Sequence, residues 1–292
     1  GYILNEYGRP GMTVFDPFAG YGTTGVVSRV YGYDYELWDL NPLLGILHEI
    51  SIMKQPKQNI MDLLFEMKLS KCEFVPDWSN CNYWFPKEFL PFLFKVWGFY
   101  HLLEDKEAKL LLTIPLLKVT RSFSYDDTQR QKLSKSPRSR RRIEKLQRSD
   151  WVDIFYRKVK EEIQFIRKGI NQHYTLSPKP VKSVIKAGVD TSTTELMKEK
   201  DILITSPPYL QAQEYMRHAK MDLFWLGYSE SFVRRLGKKE IPYKNVDPYK
   251  IESEIYYKIR KEIKEQRLCG IFDAYFWGIL GSLTRLQEKV SS

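Results

Sequence analysis

Apolar residues near the start of the chain fall into short β-branched runs, each stopping at a small or polar residue. In residues 11–44, "GMTVFDPFAGYGTTGVVSRVYGYDYELWDLNPLL", the first run closes at Val14 and Phe15, and a glycine-rich turn follows. Thr23 or Thr24 can cap a helix running to about Tyr31, and "YELW" at 35–38 predicts a second strand ending at Asp39. Strand, turn, helix and strand make a βαβ unit, which implies a parallel sheet with ligands at the carboxyl ends of its strands. A third strand is predicted in "KSVIKAGVD", ending near Asp190, and a fourth in "DILIT", residues 201–205. The pattern predicts an α/β fold.

The second and third strands are separated by about 130 residues, far beyond an ordinary connection. The reading is a large, mostly helical insertion over 54–180, flanked by the two parts of one sheet domain, 1–53 and 181–292. Its first half carries aromatic-rich helical patterns, "YWFPKEFLPFLFKVWGFYHLL" and "AKLLLTIPLLKV", in which Trp78, Trp84 and Trp97 are read as core. Residues 257–292 read as helical throughout. Only four strands are visible, so the sheet is expected to be incomplete in this chain.

Charge sharpens the picture of the insertion. The formal net charge is +10, and residues 121–148 hold ten Lys and Arg against three Asp and Glu, a net of +7. The run 130–148 within that stretch, one-signed and Ser-rich, is expected to meet phosphate and to order only on binding DNA. Arg121, Arg138, Arg140, Arg141 and Arg142 are the candidates in residues 121–148, with Arg217 and Lys220 beyond the fourth strand. No run approaches the ~20 apolar residues of a membrane span and no signal-peptide pattern is seen, so a soluble, cytoplasmic protein is expected. The three cysteines and four histidines form no zinc-type spacing, and no metal is expected.

Gly20-x-Gly22-x-x-Gly25 lets a backbone turn tightly and approach a ligand, while the helix that follows offers N–H donors. Asp39, closing the second strand, suits two ribose hydroxyls. NAD and S-adenosylmethionine both satisfy this geometry. Asp16 inside the turn is unwelcome beside a pyrophosphate but suits a methionine ammonium group, which leans the reading to S-adenosylmethionine.

Two motifs taken together resemble the amino-methyltransferases that modify an exocyclic nitrogen of a base in DNA. "DPFAGYGTT", residues 16–24, is similar to their cofactor loop, and "TSPPY", residues 205–209, to their catalytic tetrapeptide. "WDLNP", residues 38–42, is similar to their second-strand acid, and "GVD", residues 188–190, to their adenine-contacting segment. "YLQAQEYMRHAKMDLFWLG", residues 209–227, resembles the helix that follows the tetrapeptide in some members. The resemblance implies a Rossmann-like methyltransferase sheet. It implies cofactor contacts from Asp16, Phe18, Ala19, Gly20, Gly22, Thr23, Thr24, Asp39, Asn41 and Asp190, and catalysis by Ser206, Pro207, Pro208 and Tyr209. The partner implied is double-stranded DNA, in a prokaryotic restriction–modification setting.

Chemistry explains the tetrapeptide. The lone pair of an exocyclic amine is delocalised into the ring, and accepting hydrogen bonds from both N–H groups frees it for attack. Ser206 Oγ and the Pro207 carbonyl are the expected acceptors, held by two proline rings, with Tyr209 stacking on a base extruded from the duplex. In the family that the chain resembles, Ser at the first position favours N4 of cytosine over N6 of adenine. No cysteine follows a proline, which excludes methylation at carbon 5. A catalytically idle DNA-recognition subunit is the alternative of another class, and an NAD-dependent oxidoreductase a distant third. The family usually has a further segment before the cofactor loop and further strands after the last helix. A second polypeptide, or a C-terminal segment missing from this chain, is therefore expected to complete the sheet.

Overall fold

The structure, a computed structural model, describes all residues except 55, 131, 177–179, 211–214, 242 and 291–292. The chain opens with α1 (Tyr2–Tyr7), β1 (Thr13–Asp16), α2 (Thr23–Tyr31), β2 (Asp34–Asp39) and α3 (Leu43–Ile52). A helical stretch follows: α4 (Ile60–Leu69), α5 (Cys81–Trp84), α6 (Leu90–Leu102), α7 (Lys106–Ser122), α8 (Pro137–Gln147) and α9 (Trp151–Leu176). Then come β3 (Ser183–Ala187), β4 (Ile202–Leu203), α10 (Tyr215–Trp225), α11 (Glu230–Lys239), α12 (Glu254–Glu262) and α13 (Gln266–Gln287).

The chain folds as two compact units. The first comprises Gly1–His48, Ser177–Met216 and Arg234–Ser292, the second Glu49–Leu176 and Arg217–Val233. The expected boundaries at 53/54 and 180/181 therefore move. Residues 217–233, assigned from sequence to the sheet domain, belong with the helices because α10 carries their aromatic partners. Trp225 stacks on Trp97 at 5.5 Å and Phe224 on Trp78 at 4.9 Å, so burial of these rings decides the division.

In the first unit the four strands are all parallel, in the order β3-β2-β1-β4. Successive residues face opposite sides, and both sides are covered. Val14 and Leu37 pack with Leu4, Tyr35 and Leu44, whereas Phe15 and Trp38 pack with Leu196 and with Leu286 of α13. A parallel sheet buried on both faces needs this unbroken apolar run, which is why no polar alternation marks β1. β4 pairs with β1 over Ile202 and Leu203 alone, shorter than the five-residue strand read from "DILIT". The Asp201 N–H donates back to Thr13 O and the adjacent Lys200 N–H to Lys289 O, and Lys200 and Val290 form a parallel bridge. α2 sits close to the sheet at Gly25, where a Cβ would lie 2.6 Å from Leu37 and 2.9 Å from Tyr35. The predicted helix at 257–292 is broken between α12 and α13, at residues 263–265.

The second unit is helical, as read from sequence. Trp78, Trp84 and Trp97 are buried in it, and α7 packs along α9. Within the basic segment expected to order only on DNA, residues 137–147 are already folded as α8. Ser136 caps it with a reciprocal capping box to Ser139, Pro137 opens it, and Ser139 and Ile143 face inward. No helix among the described residues is long and apolar enough to cross a membrane.

Candidate active site

Because the four strands are parallel and adjacent, the segments that leave β1, β2, β3 and β4 emerge at one edge of the sheet. They carry "DPFAGYGTT", "WDLNP", "GVD" and "TSPPY" respectively. One edge thus collects every cofactor and catalytic residue singled out from sequence.

The turn after β1 hangs on the end of β2. Gly20 N–H donates to Asp39 Oδ2 at 2.7 Å, and Ala19 N–H donates to Trp38 O at 2.9 Å. Gly20 and Gly22 take φ of +56° and +82°, the left-handed region that an L side chain rarely enters. A Cβ at Gly20 would meet nothing within 4 Å, so the turn presents open backbone there. Neither Thr23 nor Thr24 caps α2; Gly22 is the N-cap. Thr24 is diverted, its hydroxyl donating to Asp16 Oδ2 at 2.5 Å. Phe18 is half-buried, and Thr23 is exposed.

Asp16 also serves the fold itself. It is 3% exposed and accepts from Thr24, from Thr205 Oγ1 at 2.7 Å and from Phe18 N–H at 3.1 Å. With three donors on a buried carboxylate, Asp16 ties the β1 and β4 loops together, and one acceptor site, on Oδ2 beside Thr24, is left for a further donor. Burial still pushes its pKa above the usual carboxylate value, the three hydrogen bonds acting in the opposite sense.

Asp39 keeps free acceptor capacity. Each oxygen takes one backbone donor, Gly20 N–H on Oδ2 and Asn41 N–H on Oδ1, both at 2.7 Å. Burial pushes its pKa up to about 6. Asn41 serves the chain itself, its Oδ1 accepting from Leu43 N–H at 3.1 Å ahead of α3. Asp190 follows β3 through Gly188, at φ +77°. Its Oδ1 accepts from Ser192 and its Oδ2 from Lys244 Nζ at 2.8 Å, and these donors hold the carboxyl below its ordinary pKa although burial acts the other way. Lys244 was not read from sequence. It lies 54 residues from Asp190 in a loop, and no spacing signals the pair.

The β4 loop continues directly from Thr205. Ser206 and Tyr209 are exposed, Pro207 and Pro208 half-buried. Tyr275 of α13 donates to the Pro208 carbonyl at 2.8 Å, and Tyr209 N–H donates to Tyr215 Oη at 3.4 Å. Among the described residues no protein donor engages the Pro207 carbonyl. Residues 211–214, part of the helix read over 209–227, lie outside the described residues; α10 begins at Tyr215.

The arginines expected on DNA divide. Arg121 is an internal cation of the second unit, its side chain 12% exposed and paired with Asp126 at 2.7 Å and Asp222 at 3.4 Å. Burial pushes Asp222 to about 6. Arg142 donates to the carbonyls of Ser124 at 2.7 Å and Asp126 at 2.6 Å. For these two the expectation of a phosphate contact is corrected: Arg121 spends its donors on Asp126 and Asp222, and Arg142 turns inward, its Nη2 on two carbonyls and its Nε buried without a partner among the described residues. Arg138, Arg140 and Arg141 are exposed on α8, together with Lys145 and Arg148. Arg217 is exposed and Lys220 half-buried on α10. Among the described residues no group of three or more His, Cys, Asp or Glu stands ready to hold a metal ion. Compared with known protein families, curated proteins and solved structures, the chain matches none.

Proposed function

We propose that the chain is an S-adenosylmethionine-dependent amino-methyltransferase acting on DNA, with cytosine N4 as the favoured target. One observation carries the reading: the Thr205–Asp16 hydrogen bond sets the "SPPY" loop against the glycine turn. A loop built to bind and a loop built to position an amine thus share one sheet edge.

The residues fit the cofactor class at several points. Asp39 has acceptor capacity left on both oxygens for a ribose diol, and Asp190 Oδ2 has room for one further donor beside Lys244. The open backbone at Gly20 accepts a close neighbour. When bound, S-adenosylmethionine supplies an activated methyl group, so the chain needs neither a strong base nor a covalent nucleophile.

The protein's part is positioning. Ser206 Oγ and the Pro207 carbonyl accept from the two N–H groups of the target amine and localise its lone pair. Tyr209, 59% exposed, offers its ring to a base turned out of the stack. The exposed cations of α8 supply a phosphate-binding face on the second unit.

The test is transfer of a tritiated methyl group to assorted duplex DNAs, followed by nucleoside identification. Labelled N4-methylcytosine is expected. Labelled N6-methyladenine would move the target, and cofactor binding without any transfer would replace the reading with an idle recognition subunit.

A further inference from the structure

We infer that Tyr275 and Tyr215 act as a two-sided clamp on the Pro208–Tyr209 peptide and are positioning residues for the catalytic loop. The clamp itself rests on geometry; only its effect on rate rests on the methyltransferase reading.

Two prolines in succession remove two N–H groups, so the loop cannot be held by its own amides over 207–208. Their rings fix φ and hold the residue before each of them, Ser206 and Pro207, extended, but leave ψ of Pro208 free. The first peptide unit with both a donor and an acceptor to offer is the one joining Pro208 to Tyr209. Both of its polar groups are engaged, each by a tyrosine hydroxyl from a different helix. The Pro208 carbonyl accepts from Tyr275 Oη of α13 at 2.8 Å, and Tyr209 N–H donates to Tyr215 Oη of α10 at 3.4 Å. Rotating this peptide plane would break both contacts at once and swing the Tyr209 ring, so the clamp fixes ψ of Pro208 and φ of Tyr209 together.

Its surroundings leave the clamp as a distinct device. Leu210, the next residue, is anchored by apolar packing against the cluster of Ile251, Tyr256 and Phe272. That packing holds the chain after the loop without fixing the peptide plane before it. The Tyr275 hydroxyl takes the Pro208 carbonyl, and the Pro207 carbonyl is left unengaged by the described residues. The clamp therefore selects which carbonyl is presented. The Tyr209 ring stays exposed, its direction set through this peptide.

The test uses the full chain with Tyr275→Phe, Tyr215→Phe and the double variant, which keep the rings and delete only the hydroxyls. Hydrogen exchange at the Tyr209 amide is expected to speed up about tenfold in each single variant, the scale of one net hydrogen bond. Methyl transfer at saturating cofactor is expected to slow by about ten- to a hundredfold, as for a reacting group displaced by ~1 Å. Cofactor affinity and thermal midpoint are expected to stay near wild type. Unchanged Tyr209 exchange in Tyr275→Phe would overturn the clamp. So would a rate loss matched by an equal loss of cofactor affinity, which marks general disruption. A wild-type protein without methyl transfer would sink the methyltransferase reading instead, while the exchange measurement still decides the clamp.

Discussion

The Thr205 hydroxyl donates to Asp16 Oδ1 at 2.7 Å, joining two loops 189 residues apart in the chain. Thr205→Val keeps the shape of the side chain but removes the donor, leaving a buried carboxylate with Thr24 and Phe18 alone. A loss of about 1–3 kcal/mol in unfolding free energy is expected. Burial already raises the Asp16 pKa, and losing a donor to the ionised form raises it further. The deficit is therefore largest where Asp16 is ionised and shrinks as pH falls through its raised pKa. Denaturant titrations of both proteins across that transition check the size and the trend.

Asp39 gives a pH dependence of opposite sense for stability and for binding. Its folded pKa of about 6 lies above the ordinary 3.8, so its contribution to stability is full below the lower value and is lost as pH rises through the higher one. Wild-type stability should fall between about pH 4 and about pH 6 by an amount absent from Asp39→Asn. Affinity for S-adenosylmethionine should rise over the same window, because the ionised carboxylate is the better acceptor for ribose hydroxyls. In Asp39→Asn it should be weaker and flat with pH. Denaturation and calorimetric binding at matched pH values separate the two slopes.

How far the sequence revealed this arrangement depends on distance along the chain. The βαβ unit was legible because its signals are local: β-branched runs, glycines at a turn, an acid at a strand end. The helix ends at Tyr31 as expected for that reason, although it starts at Thr23 behind Gly22 and not behind a threonine cap. What Thr24 does was not legible, since its partner Asp16 is decided by the turn's three-dimensional path. Arg121 and Arg142 looked like the other cations of the basic run because a charge count cannot say which side chains turn inward. Asp222, one of the acids that hold Arg121, lies 101 residues away. Tyr275 and Lys244 carried no signal, for each contacts its partner only once helices and loops have closed over the sheet edge.

That inward turn yields a contrast among the arginines. Arg140→Ala and Arg141→Ala alter exposed positions on α8, so stability should hold within about 0.5 kcal/mol. Each should lower the salt dependence of DNA binding by about one unit of slope. Arg121→Ala strands Asp126 and Asp222 without their cation and should cost about 3–5 kcal/mol. Thermal melts and DNA titrations at several salt concentrations distinguish the classes. A stable Arg121→Ala protein with a reduced salt slope would reverse the assignment.

On the proposed methyltransferase reading, Ser206 and Tyr209 separate positioning of the amine from binding of the cofactor. Both are exposed at the sheet edge, and neither supports the core. Ser206→Ala removes one of two acceptors that act on the amine as its lone pair localises, so transfer should slow by about 10²–10³. Tyr209→Ala removes the stacking face, worth about 1–3 kcal/mol per base, whereas Tyr209→Phe retains it and should stay near wild type. In all three, S-adenosylmethionine affinity should remain within about twofold of wild type, because Asp39 and the glycine turn are untouched. Single-turnover transfer rates and calorimetry on the same preparations decide the point. Loss of affinity in step with loss of rate would show that this loop holds the cofactor instead of the base.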